Sequence, residues 1–190
     1  CLEDVTKRYD VDGFCVDHAR YPQPANLHAL IACACENCCA AGEALGFDAS
    51  RLVVAAREAR DALREIDEEG VRRALASELR GADLLPALGV PRAAWEWLLM
   101  RAALLAQRMA AFRSRVQDVR QGLPFGSDVF APSIALPGGH DYGRWEAATD
   151  FLTGGSSAGG VVGWATGATN AAVTAQTLPL APMTGAALES

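Results

Sequence analysis

A parallel α/β fold is what this sequence predicts, and three observations carry the expectation. Two short apolar runs, residues 13–17 and 123–130, each contain a carboxylate. Such short runs without alternation read as strands covered on both faces. Between them the chain is dominated by helical periodicity, longest over residues 91–121. Strand, helices, long helix, strand is the order of a parallel βαβ unit with an enlarged crossover.

Residues 2–9 read as the end of a helix, and Asp10-Val11-Asp12-Gly13 turns into the first run, Gly13-Phe14-Cys15-Val16-Asp17. Asn26 is placed to cap a helix with Leu27, Leu30, Ile31, Cys35 and Cys38 on one face, stopping at Gly46. Asp48 is placed to cap the next, which carries Leu52, Ala55, Ala59, Leu63 and Ile66 and ends near Gly70. Residues 71–88 form shorter pieces broken by Gly81 and Pro86. Pro91 opens and Gly122 closes the strongest helix. Its stripe of Trp95, Leu98, Leu99, Ala102, Leu105, Met109, Phe112, Val116 and Val119 is a packing face. The second extended run, around Asp128, follows.

From residue 152 onward the only charge is Glu189, and Gly, Ala, Ser and Thr dominate. That stretch reads as a low-complexity linker, or as a GC-rich gene translated out of frame. The glycine-rich part, residues 154–160, lacks the lysine of a phosphate-binding loop. The chain starts at Cys1 and not at a methionine, so a native segment upstream is expected and no compartment is assigned.

With 17 Lys and Arg against 23 Asp and Glu, the net charge is -6, which excludes the basic footprint of a nucleic-acid binder. No apolar run reaches the roughly 18 residues of a membrane span. Four of the six cysteines, Cys33, Cys35, Cys38 and Cys39, cluster tightly, while Cys1 and Cys15 stand apart. A disulfide scaffold spreads its cysteines, so clustering favours a metal or buried thiols.

The first run ends at Asp17, followed by His18, Arg20, Tyr21 and Pro22. A carboxylate at a strand's carboxyl end is where α/β barrels do chemistry. Arg20 is suited to hold Asp17 ionised, and His18 and Tyr21 to reach sugar hydroxyls. The plainer alternative is an Asp–Arg pair that fastens a loop. Asp128 would lie on the neighbouring strand, about 4.8 Å away. A glycosidase needs two carboxyl groups about 5–5.5 Å apart for retention or roughly 6.5–9.5 Å for inversion. Asp128 is followed by Val129 and Phe130, so a structural role inside the sheet competes. His140 lies after the second strand, where it would contact substrate or simply be solvated. Trp145 reads as a helix anchor more than as a sugar platform.

The string YDVDGFCVDHARYP resembles the fourth-strand signature of glycoside-hydrolase-like barrels, related to that of the α-amylase superfamily. That resemblance implies a partial (β/α)8 TIM barrel, its central segment around strands 4 and 5, over residues 1–151. It further implies a carbohydrate substrate and puts the superfamily's nucleophilic aspartate on Asp17; Asp128, by its place on the next strand, is the second and weaker carboxylate candidate. The superfamily has an arginine two residues before its acid, where this chain has Cys15. CACENCC resembles the cysteine cluster of family 42 β-galactosidases, which implies a structural zinc on Cys33, Cys35 and Cys38 with a fourth ligand from upstream, where Cys1 is the candidate.

Thiolates at such spacing can close on one tetrahedral zinc. On one continuous helix, however, Cys33 and Cys35 would point about 200° apart and could not share a metal. Zinc therefore requires the chain to turn at residues 33–35 and the helix to begin near Glu36; otherwise the thiols are small core residues. The leading expectation is a glycoside hydrolase fragment, inactive and unstable alone because its sheet edges lack partners. The competitor is a non-catalytic carbohydrate-binding or scaffolding barrel whose cysteines serve folding.

Overall fold

The computed structural model of the protein describes residues 2–22, 33–130 and 132–154. Helix α1 (Leu2–Arg8) leads through a turn to strand β1 (Phe14–Val16). Helices α2 (Glu36–Ala44), α3 (Ala49–Glu65) and α4 (Glu68–Ala76) follow, then a 3-10 turn and the short α5 (Leu84–Ala87). The long α6 (Ala93–Val119) returns the chain to β2 (Phe125–Val129). Helices α7 (Pro132–Gly138) and α8 (Tyr142–Ala148) precede β3 (Phe151–Gly154).

Side-chain caps place several of these boundaries. The Asp48 carboxylate accepts the Arg51 amide at 3.0 Å and starts α3. Asp67 accepts the Gly70 amide at 2.7 Å, so a new helix begins where the sequence pattern expected one to finish. An N-cap satisfies an amide that the first helical turn otherwise leaves orphaned. The capped helix predicted from Asn26 is only partly described: α2 begins at Glu36, and residues 26–32 lie outside the described part.

The three strands form one parallel sheet in the order β1-β2-β3. Val16 stands opposite Ser127, and Asp128 opposite Thr153. The third strand crosses the domain limit expected at residues 151 and 152. Residues 155–190, the rest of the predicted low-complexity tail, lie outside the described residues.

The expected TIM barrel segment is not what forms. Among the described residues, eight α-helices accompany one open three-stranded sheet, so the architecture is mixed helical with a small parallel sheet. Closing a barrel takes eight strands, each long enough to contribute to the layered interior. Here β1 has three residues and β3 four. Apolar surface is buried against a helix instead of around a ring.

That helix is α6. Toward its N-terminus, Trp97 and Met100 pack with Ala49, Leu52 and Ala56 of α3. Toward its C-terminus, Ala106, Met109 and Val116 pack with Phe125, Val129 and Trp145. Burying one large apolar side chain contributes about 1.5–3 kcal/mol, so Trp97 and Met100, at 1% and 0% exposure, anchor this end firmly. The observed face therefore differs from the predicted stripe. Trp97 is buried and Trp95 only half-buried, because α6 is covered on two sides and not along one seam.

Candidate metal centre

The chain turns before α2. Cys33 takes a left-handed backbone conformation, with φ 71°, which an L residue adopts at a cost. Cys35 is extended and occupies the N-cap of α2, and the helix proper begins at Glu36. This is the turn that a shared metal requires. It brings the Cys33 sulfur to 3.6 Å from that of Cys35 and 3.3 Å from that of Cys38. All three Sγ atoms lie within 4.8 Å of one another. Ligands on a tetrahedral zinc with Zn–S near 2.3 Å stand about 3.8 Å apart, so the trio has the dimensions of one face of such a site.

Electrostatics differ among the three. Burial pushes the Cys38 thiol up to about 12, helped by hydrogen bonds from its two neighbours. Cys35 is held below its ordinary value, chiefly by the Cys38 amide and by the other two thiols. The amides at the start of α2 thus face its sulfur, although none reaches the geometry of a full capping hydrogen bond. Thiolates are the ligand form, so a cation entering here displaces protons. Cys39, the fourth cysteine of the run, turns instead to the core formed by α3 and α6. Cys1, the upstream candidate for a fourth ligand, lies outside the described residues.

Arg101 of α6 is only 1% exposed. Its guanidinium lies 3.9 Å from the centroid of the Tyr21 ring and engages the Tyr21 hydroxyl. Burial pulls the Arg101 pKa down, while the charges of Tyr21, Cys33 and Cys38 push it back up. Burial likewise raises the Tyr21 hydroxyl, against the pull of Arg101. Tyr21 therefore feels the charge of the buried cation and of the thiols alike. Arg101 is one of four arginines on α6, with Arg108, Arg113 and Arg115, and nothing in the sequence sets it apart from the others.

The predicted catalytic residues occupy different surroundings. Asp17 follows β1 and is exposed. Its Oδ1 accepts the His18 amide at 2.7 Å, and its Oδ2 lies 2.6 Å from His18 Nδ1. The side chain beside the Asp17 carboxylate is thus the His18 imidazole, whereas Arg20 stacks 4.9 Å over the Phe130 ring. Asp128 accepts a hydrogen bond from the Thr153 hydroxyl on β3 and faces the Cys15 thiol at 3.8 Å. Cys15 and Thr153 were not singled out from sequence; alternation along the strands puts both on the face that carries Asp128. His140 is 2% exposed and uses both ring nitrogens internally, and Trp145 is fully buried beside it. An open groove bordered by Leu45, Phe47, Ala106 and Arg144 takes in none of these carboxylates. No helix among the described residues is long and apolar enough to cross a membrane.

Comparison with known proteins finds no matching family model, no matching curated protein and no matching solved structure.

Proposed function

We propose that this chain is a metal-binding module in which Cys33, Cys35 and Cys38 hold one thiophilic divalent cation, with zinc as the best fit. The supporting observation is the convergence of three sulfurs within 4.8 Å at a backbone turn that adopts a left-handed residue to make it. Zinc suits the set because it accepts thiolates in a tetrahedral arrangement without geometric preference of its own. The metal's role is structural: it fastens the segment before α2 to the helix that follows. Metal bound only by the folded state stabilises it by mass action, about 2.7 kcal/mol at a hundredfold excess over Kd.

Anaerobic titration of the reduced full chain with zinc, against a chromophoric chelator, tests this directly. One equivalent should bind, the melting temperature should rise, and cobalt should give sulfur-to-metal charge-transfer absorption. C33S and C38S should weaken binding strongly, whereas C15S should not. A reduced chain that takes up no zinc while all its thiols react freely overturns the proposal.

A second reading, a glycoside hydrolase, has one observation in its favour. Asp17 and Asp128 come at the carboxyl ends of neighbouring parallel strands, the side on which open α/β sheets take their ligands. In that reading Asp17 is the acid/base and Asp128 its partner. Hydrolysis of aryl glycosides that D17N leaves unchanged would end it.

A further inference from the structure

Resting on the metal reading above, we propose that the cysteine cluster is also a reversible thiol–disulfide switch, in which closure of a Cys33–Cys38 bond expels the metal. The distances single out that pair. The Cys33 sulfur lies 3.3 Å from that of Cys38 and 3.6 Å from that of Cys35. A disulfide draws its sulfurs to about 2.0 Å, so the closer pair has only about 1.3 Å left to cover. A tetrahedral zinc with Zn–S near 2.3 Å pulls the other way, holding its sulfurs about 3.8 Å apart. The observed spacing lies between the two, and a sulfur committed to a disulfide is no longer the thiolate that a metal takes. Metal and disulfide therefore exclude one another.

Access sets the order of events. Cys33 is exposed, whereas Cys38, in the first turn of α2, is half-buried. The oxidant is a small-molecule disulfide. The Cys33 thiolate attacks one of its sulfurs, forming a mixed disulfide and releasing one small thiol. The Cys38 thiolate then attacks the Cys33 sulfur, the protein disulfide forms, and the second small thiol leaves. Two protein thiols lose two protons and two electrons, and the small disulfide gains both. The remaining cysteines of the described chain stand aside. Cys39 packs into the core between α3 and α6, and Cys15 faces Asp128 on the sheet. Cys35 keeps its thiol, but one sulfur does not hold a zinc that three held. A disulfide formed at so exposed a turn stays open to attack by thiols, which makes the step reversible.

The test places the zinc-loaded full chain in graded mixtures of oxidised and reduced glutathione. Released zinc is read with a chromophoric chelator, and disulfides are mapped by peptide mass spectrometry after the remaining thiols are alkylated. Zinc should be lost in step with the Cys33–Cys38 bond, reaching the full bound equivalent at the oxidising end, and excess reduced glutathione should restore binding. C15S should respond as wild type. Metal-free C35S should still close the Cys33–Cys38 bond, which shows the pair reacting without help from zinc. A bond mapped to Cys35–Cys38 or to Cys39 overturns the inference, and so does zinc retained while Cys33–Cys38 is closed. A chain that binds zinc but ends only in mixed disulfides overturns it too and leaves the metal site standing. A reduced chain that binds no zinc yet closes the bond overturns the metal reading, and the release step with it.

Discussion

Replacing His140 with leucine should destabilise the protein by about 3–5 kcal/mol, a value that follows from what the imidazole holds together. The Phe130 amide donates to its Nδ1 at 2.8 Å, which leaves Nε2 as the protonated nitrogen, donating to the Ala19 carbonyl at 3.0 Å. The ring thus ties the end of β2 to the loop that follows β1. Leucine fills the volume but leaves a buried donor and an acceptor without partners, at about 1–3 kcal/mol each. The ring also contacts Phe130 at 5.3 Å and Trp145 edge-on at 4.9 Å, and such aromatic contacts are worth roughly 0.5–1.5 kcal/mol beyond area. Total stabilities are only about 5–15 kcal/mol, so the loss would be obvious in urea melts followed by circular dichroism. A change under about 0.5 kcal/mol, the size of a surface substitution, would refute the clamp. The pH profile is a second check. Burial holds the His140 pKa below 6.5, aided by Arg20 and opposed by the Ala19 carbonyl. The unfolded chain then binds the proton more readily, so wild-type stability should fall as pH drops below 6.5 toward the lower folded value. In H140L that component should vanish.

Two further substitutions probe the sheet. A Cβ at Gly126 would stand 2.5 Å from the Phe151 backbone oxygen, and backbone cannot give way as a flexible side chain can. G126A should therefore cost about 1–3 kcal/mol in denaturant melts, whereas G143A, where the nearest atom is at 3.6 Å, should be neutral or stabilising. Asp150 accepts the Phe125 amide at 3.0 Å and pairs with Arg113. Burial pushes its carboxyl up, but Arg113 and the amide together hold it below the ordinary 3.8. Its contribution is present above that value and lost as pH falls through the folded one, so D150N should be less stable at neutral pH and lose less on acidification.

Local signals were readable in the chain where one residue type has one physical use. Pro91 and Gly122 bracket α6 from outside, Pro91 just before its N-cap Arg92 and Gly122 two residues past its C-cap Arg120. The cysteine spacing was legible as a condition: three thiols at 33, 35 and 38 meet only off a continuous helix, and the turn before Glu36 meets that condition. Barrel closure was not legible. Two strands and a crossover are local grammar, and the number of strands in a sheet is not encoded in any one of them. Strand β3 escaped notice because Phe-Leu-Thr-Gly is too short to show a period before a run of small residues begins. Arg101 escaped for a related reason. Sequence shows four arginines on this helix but not which of them the fold buries.

Helix α6 has a consequence for how the molecule opens. At 27 residues it is a rod about 40 Å long, and it lies against the α3 core at one end and the sheet core at the other. Met100, against α3, and Val116, against the strands, share that rod, so neither core can come apart without exposing part of the other's wall. Amide exchange along α6 should then be governed by global unfolding and not by fraying, and occupancy at the cysteine turn should slow exchange as far away as Val116.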